Sequence, residues 1–596
     1  MINYKNHYKE RKPEETIKII ENFFLNLNMK IKRNEVMISE INTYSIQIIL
    51  FDKNDFLILY ANGKGETEEF AIASAYGELY ERFCNMRFIM KDGIAQNLFL
   101  QKRKQKYNYY YHPEEKEFSL IELINADQNF HNFFLGDFSE KDSDIINFYN
   151  TLFNNKFIAA PYQDLLDSNK QYFYNPYLMT VLRGSGGMAA GNTLEEALNQ
   201  GISELYEHYI TDKFRYLKKD FDFHFIDIST IKNQKLKEKI KLLTDNENYE
   251  YYLIDFSYNF NVPVLLSILI DKTLQRFFIN FGSFPIFDIA LERTLTELYQ
   301  GVVSFKEEEQ SNNIIVPYKS GVTIIEALDA TANVTNSLCL NESFLLSEKK
   351  FYSPNSKIFL FNQDKNYSNE DILNYYKKLS SYLNINFCYL DVSQSSEMHA
   401  IQIYSINLPH FSLPLEAKKM LYKKQQLNVY KLLSYFIQLE NKWLNNHIWD
   451  NLLWEKIIIL YNQFTIEDIL LFNISASIFC FNFSKTNNLL SLIEQFIKMD
   501  SNIYMIEEQI IAMSNKSILS EDIKKFLTQY RYIVNNDYLP SEKTKILKTL
   551  IPEFSQDETL FKNIITPEYF LQVIMEKLYE YYHSEKYSDY LDALVG

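Results

Sequence analysis

Gly184-Ser185-Gly186-Gly187-Met188-Ala189-Ala190-Gly191-Asn192 runs directly into Thr193-Leu194-Glu195-Glu196-Ala197-Leu198-Asn199-Gln200-Gly201-Ile202-Ser203-Glu204-Leu205-Tyr206-Glu207-His208. A glycine-rich loop that feeds a helix start is a place where phosphate meets backbone N–H groups. Thr193 and Glu196 form a Thr-x-x-Glu capping box, which sets the start of the helix and gives Glu196 a structural role. Glu196, Glu204 and Glu207 fall within roughly 80° of one another on the helix wheel. A second helix is predicted over Glu68–Arg87, with Ser74, Glu78 and Glu81 on one narrow arc and Ala71, Ala75 and Gly77 small enough to admit another backbone. A third spans Ile289–Phe305, with Arg293, Glu297 and Gln300 at i, i+4 and i+7.

Around these helices the sequence alternates. Ser45–Leu50, Phe56–Tyr60, Val262–Ile270 and Arg276–Phe281 read as strands, and Asn62-Gly63 reads as a turn. The charged, Asn-rich stretches Lys102–Glu117 and Lys235–Asn248 read as surface insertions, within wider insertion zones near 100–180 and 235–250. Of 14 glycines, 13 lie between Gly63 and Gly321, so the sheets and their loops are expected there. The tail after about residue 415 has no glycine before Gly596 and carries apolar residues at helical spacing, such as Leu432, Leu433, Phe436 and Leu439. It reads as stacked helices, possibly a degenerate helical repeat, although no clean 34-residue period is visible. The fold class is therefore α+β: sheets flanked by helices over 1–415, followed by an all-α domain over 416–596.

The net charge is −16, which argues against direct nucleic-acid binding, since that depends on neutralising phosphates. The four cysteines are scattered and form no Cys-x-x-Cys pair, so neither a zinc ribbon nor a disulfide framework is expected, and a cytoplasmic setting is. No secretory leader is visible and no run of about 18 apolar residues suggests a membrane span. The carboxylate-rich helix faces need a counter-charge if they meet, because clustered like charges repel in a low dielectric. Magnesium ions, held by a few carboxylates together with substrate phosphates, meet that need. Gly63-Lys64-Gly65 lacks the Walker spacing, and no Gly-x-Gly-x-x-Gly opens a helix.

Gly63-Lys64-Gly65 with Ser74-x-x-x-Glu78-x-x-Glu81-Arg82 resembles the first motif of the YcaO family. Met188-Ala189-Ala190-Gly191-Asn192-Thr193 with Glu196, Glu204 and Glu207 resembles the second, and Phe281-Gly282 through Ala290–Gly301 resembles the third. The resemblance covers roughly residues 1–415, and the helical C-terminal half, with Asn407-Leu408-Pro409 and Leu413-Pro414, is similar to one subgroup. It implies ATP and Mg²⁺ as cofactors and activation of a peptide backbone amide by phosphorylation. It implies Glu78, Glu81, Glu204 and Glu207 as metal ligands. It implies Ser74, Asn192 and Arg293 as nucleotide contacts, Glu196 and Glu297 as weaker members of the site, and Lys9 and Thr16 as further contacts near the N-terminus.

Two departures from the family pattern stand out. His208 replaces the arginine that usually follows the second Glu-x-x-Glu. The chain ends Leu594-Val595-Gly596 instead of Pro-x-Pro-x-Pro, which points away from ordinary azoline formation. The resemblance then implies an accessory role in β-methylthiolation of small-subunit ribosomal protein twelve. The partners would be a peptide or ribosomal protein substrate and a methylthiotransferase or sulfur-donor protein, and the chain would be a homodimer. Thioamide or azoline formation with a partner protein, and an ATP-regulated adaptor without catalysis, are the alternatives.

Overall fold

The computed structural model describes residues 9–405, apart from 54–56, 88–92, most of 120–156, most of 177–184, 217–222, 272–275, 299–348 and 361–366, and short stretches of 431–463. The chain divides into two compact units. One comprises residues 1–88 and 160–415. The other comprises 89–159 and 416–596. In the second unit, helix α3 (Gly93–Tyr107) leads to strand β5 (Lys116–Phe118), which pairs antiparallel with residues 157–159. Residues 431–436 and helix α9 (Asn451–Tyr461) are also helical. Most of the expected all-α domain over 416–596 lies outside the described residues.

The first unit is built on three antiparallel systems. Helix α1 (Pro13–Asn26) precedes a sheet in which β3 (Tyr44–Phe51) pairs with β1 (Lys30–Arg33), β2 (Met37–Ile38) and β4 (Leu57–Gly65). A second sheet joins β6 (Phe157–Asp164) to β7 (Gln171–Tyr174) on one side. On the other it continues to β14 (Phe387–Asp391), β15 (His399–Ser405) and β8 (Met188–Gly191). The third runs β12 (Arg276–Ser283), β11 (Val264–Asp271), β10 (Tyr249–Asp255), β9 (Phe225–Ile226) and β13 (Phe351–Tyr352), with only the last pairing parallel. Between them lie α2 (Glu68–Cys84), α4 (Leu194–Tyr216), α5 (Gln234–Thr244), the one-turn α6 (Ser257–Phe260), α7 (Phe287–Leu298) and α8 (Asn369–Leu383). The main core gathers Leu205 and Ile202 of α4, Leu266 and Ile268 of β11, Leu291 and Leu295 of α7, and Tyr376 of α8.

Two local expectations are corrected. Asn62-Gly63 is not a turn. Strand β4 continues through both residues to Gly65, in register with residues 44–47 of β3. The glycines are needed because α2 lies directly on the strand: a Cβ on Gly63 would fall 2.0 Å from the Ala71 carbonyl oxygen, and one on Gly65 would fall 2.6 Å from the Ala71 nitrogen. Lys235–Asn248 is not simply a surface insertion. It forms α5, whose Leu236, Ile240 and Leu243 are buried at i, i+4 and i+7, so a lysine-rich outer face had hidden an amphipathic helix.

One strand–helix unit is used three times. Helices α2, α4 and α7 begin at residues 68, 194 and 287, steps of 126 and 93. The same two steps align Ala71-Ile72 with Ala197-Leu198 and Ala290-Leu291, and Glu78-Leu79-Tyr80-Glu81 with Glu204-Leu205-Tyr206-Glu207 and Glu297-Leu298-Tyr299-Gln300. They also align the close approaches. Gly191, the counterpart of Gly65, would place a Cβ 2.5 Å from the Ala197 nitrogen. Gly282, the counterpart of Gly63, would place one 2.4 Å from the Ala290 carbonyl oxygen. Each helix packs on its own strand and also on the next: α2 on β8, α4 on β12, and α7 back on β4. The three units therefore close into a ring, although each strand belongs to a different sheet.

Candidate functional site

The ring sets one glutamate per helix at the same depth. The side chains of Glu78, Glu204 and Glu297 are 25%, 24% and 22% exposed, which is the equivalence that the sequence register demands. Each is paired with a basic side chain. Arg82 pairs with Glu78 from the next turn of α2, and His208 Nε2 lies 3.5 Å from Glu204 Oε1 in the corresponding position of α4. The corresponding residue of the third unit is Gly301, and Glu297 is instead paired with Lys64, which reaches it from β4. One turn on, Glu81 and Glu207 occupy matching places.

The carboxylates are poised against one another. Burial is the main force holding the Glu78, Glu81 and Glu207 carboxyls above the usual range. Glu204 adds repulsion to all three, and Glu78 adds it to Glu81. Burial and then Arg293 push the Lys64 ammonium down to about 8, although Glu207, Glu78 and Glu204 pull it upward. Side chains from all three helices thus act on Lys64. In the sequence it stands in a failed Walker pattern and in the first family-like motif, but neither gives it a place in the site, because nothing local marks which distant carboxylate it meets.

Arg293 does not pair with Glu297 on its own helix. Its Nη1 donates to Gln200 Oε1 at 2.8 Å. Gln200 and Ser74 are its counterparts in the other two units, and Ser74 is exposed. Gln200 was likewise overlooked, since a lone glutamine on a helix carries no signal.

A second cluster joins the N-terminal segment to α4. Lys9 Nζ donates to Glu196 Oε1 at 3.0 Å, the Glu10 backbone N–H donates to Glu196 Oε2 at 3.3 Å, and Asn192 Nδ2 donates to both carboxylate oxygens. Thr16 Oγ1 donates to Asn192 Oδ1 at 2.8 Å. Thr193 Oγ1 accepts from the Glu196 N–H at 3.2 Å, as a capping threonine does. The Glu196 carboxylate, nearly fully buried, is committed to Lys9, Glu10 and Asn192. Lys9, Thr16, Asn192 and Glu196 form one connected network, while Glu78, Glu81, Glu204, Glu207, Lys64, Arg293 and Glu297 form the ring.

The donor set fits a hard divalent cation. Four carboxylates crowd together, and their mutual repulsion would be relieved by positive charge. Among the described residues, no three acidic, imidazole or thiol side chains already form a closed metal cage. Magnesium does not ask for one, because it usually takes one or two carboxylates and completes its shell with phosphate oxygens and water.

Beyond the ring, α7 presents Glu292 to Glu66 and Lys235, which pair with each other, and to Lys239, whose Nζ donates to the Ile41 carbonyl at 3.2 Å. Burial, and then Glu66, raise the Glu292 carboxyl to about 8, against the opposing pull of Lys235 and Lys239. A carboxyl raised in the folded state binds its proton more tightly there than when unfolded. Its contribution is complete below the unfolded value near 4.5 and is lost as pH rises through 8. Across pH 5 to 8.5 the wild-type melting temperature is therefore expected to fall relative to that of Glu292→Gln, by about a few °C. Parallel curves for the two proteins would refute this.

Within the described residues no helix is long and apolar enough to cross a membrane. The family model described as YcaO cyclodehydratase, ATP- and Mg²⁺-binding, matches residues 62–408. The Escherichia coli (strain K12) ribosomal protein S12 methylthiotransferase accessory factor YcaO is 29% identical over 271 residues, which are 44% of this chain and 43% of that protein. A Haemophilus influenzae (strain Rd) protein of unassigned function is 27% identical over 248 residues, 41% of this chain and 40% of that one. The chain thus matches less than half the length of either relative. Among solved structures, YcaO from Methanopyrus kandleri bound with AMPPCP and Mg²⁺ is 12% identical, with a TM-score of 0.43, covering 70% of this chain and 96% of that one. The family match begins at Asn62, beside the first glycine of the ring, and passes through all three strand–helix units over more than half of the chain; the protein belongs to the YcaO cyclodehydratase family.

Proposed function

We propose that this protein binds ATP with Mg²⁺ at the ring and uses it to activate a peptide backbone amide, in the service of β-methylthiolation of ribosomal protein S12. The observation that carries the reading is the meeting of Glu78, Glu81, Glu204 and Glu207 with Arg293 in one partly open site. In this reading the four glutamates hold the metal, and Ser74, Asn192, Arg293, Lys9 and Thr16 hold the nucleotide, with Glu196 and Glu297 supporting them. Bound MgATP supplies a transferable phosphoryl group for the amide oxygen. The chain's own work is positioning and neutralisation, on which phosphoryl transfer mainly depends. Arg293, fixed by Gln200, offers guanidinium donors to phosphate oxygens. Glu196 orients Lys9 and Asn192, and Thr16 fixes the amide of Asn192. His208 takes the place of an arginine but still faces Glu204, so the local pairing survives the substitution. The S12 assignment is supported by the Escherichia coli relative.

The test is nucleotide turnover. An amide-activating enzyme is expected to release ADP or AMP faster when a peptide from ribosomal protein S12 is added, and Arg293→Ala is expected to slow that release by about tenfold or more. Binding of MgATP with no turnover under any peptide would favour an ATP-regulated adaptor. Turnover stimulated by other peptides, but not by those of S12, would favour thioamide or azoline chemistry.

A further inference from the structure

Lys64 is the only charged residue at its place in the ring. The steps that align the three helices align Lys64 with Ala190 of β8 and Ser283 of β12. Of these three aligned positions only the one in β4 carries a cation. Arg82 and His208 reach their glutamates from the outer turns of their own helices. Lys64 comes from a strand, β4. It pairs with Glu297 of α7 and interacts with Glu78 of α2 and with Glu204 and Glu207 of α4.

That position makes Lys64 a competitor of any metal. A magnesium ion drawn to Glu78, Glu204 and Glu207 enters the field of an ammonium already neutralising part of their charge. A free ion must displace that ammonium without offering it another partner. A magnesium–nucleotide complex brings phosphate oxygens with it, and a lysine on a flexible four-carbon stem can turn to them. We infer that Lys64 makes metal binding at this site conditional on nucleotide: it excludes free Mg²⁺ and admits MgATP. It is a positioning and selectivity residue, and the inference rests on the MgATP reading given above.

The experiment is calorimetric titration of MgCl₂ alone, and of ATP in the presence of Mg²⁺, into the full-length wild type, Lys64→Met and Lys64→Arg. Wild type is expected to take up MgATP and to show no binding of free Mg²⁺ below about millimolar. Lys64→Met is expected to bind free Mg²⁺ about tenfold or more tightly than wild type and to bind MgATP about tenfold or more weakly. Lys64→Arg is expected to keep the wild-type order. Should Lys64→Met not fold, as judged by circular dichroism, Lys64→Gln carries the same test. If wild type binds MgATP while the folded neutral variant titrates identically with Mg²⁺, the role of Lys64 falls and the functional reading stands. If wild type binds no MgATP, the functional reading falls and this inference with it.

Discussion

Glu81→Gln is expected to abolish MgATP binding and, in the same protein, to raise the melting temperature measured without nucleotide. The two effects have one cause. Burial and repulsion from Glu204 and Glu78 hold the Glu81 carboxyl well above its ordinary range. Ionising it near neutral pH therefore costs the folded state free energy that the unfolded chain does not lose. Glutamine keeps the shape and removes that cost. The expected gain is about 1 kcal/mol, or roughly 2 °C in a protein of this size. It is larger at pH 8 than at pH 5, because the wild-type carboxyl recovers its proton as the pH falls. Affinity for MgATP is expected to fall about 100-fold or more, since even residues that merely orient a metal ligand are worth 10–100-fold. With saturating MgATP the order of stability reverses, because only the wild type gains the free energy of binding. Calorimetric titration and thermal denaturation, each with and without MgATP, check both halves. A variant that is less stable than wild type without nucleotide, or that binds as well, would refute the placement of Glu81 among repelling carboxylates.

The second large effect concerns glycine. Gly63→Ala and Gly282→Ala are each expected to cost roughly 3 kcal/mol or more, enough to prevent folding in a marginally stable domain. The new methyl would fall 2.0 Å from the Ala71 carbonyl oxygen and 2.4 Å from the Ala75 nitrogen in the first case. In the second it would fall 2.4 Å from the Ala290 carbonyl oxygen and 2.5 Å from Thr294 Oγ1. The opposing atoms are mostly backbone, so relief requires moving a whole helix off its strand, and with it Glu78 or Arg293. Gly77, in the middle of α2, has nothing within 4 Å of its would-be Cβ. Gly77→Ala is therefore expected to stabilise by about 0.5–1 kcal/mol through helix propensity. Chemical denaturation of the three variants distinguishes close approach from mere glycine content. Equal effects at all three positions would contradict the packing described here.

Much of the local structure is legible in the sequence. The period of apolar residues and the Thr193 cap mark α4, and the arcs of Ser74, Glu78 and Glu81 follow from the helix wheel alone. What the wheel cannot supply is which arcs meet, because contacts between segments 126 and 93 residues apart leave no local trace. The extension of β4 through Gly63 was hidden because glycine signals a turn and a close approach equally well. Helix α5 was hidden because four lysines in 11 residues outweigh three buried apolar positions in any average of composition. The threefold register is not legible as a repeat of fixed length because its two steps, 126 and 93, differ. Lys64 and Gln200 acquire meaning only from their partners in other units.

The ring also carries a record of ancestry. A short strand–helix segment present in three copies, with unequal spacers, is what duplication followed by divergent insertion leaves behind. Among the positions that remain alike, Ala71, Ala197 and Ala290 lie where a bulkier side chain would push apart helix and strand. The row Ser74, Gln200 and Arg293 has diverged completely. A ligand without threefold symmetry gives each copy a different task, and mutational drift can then separate residues that began the same. Symmetry survives in the scaffold and in the charged row Glu78, Glu204 and Glu297, and it is lost in the row where each copy meets a different part of the guest.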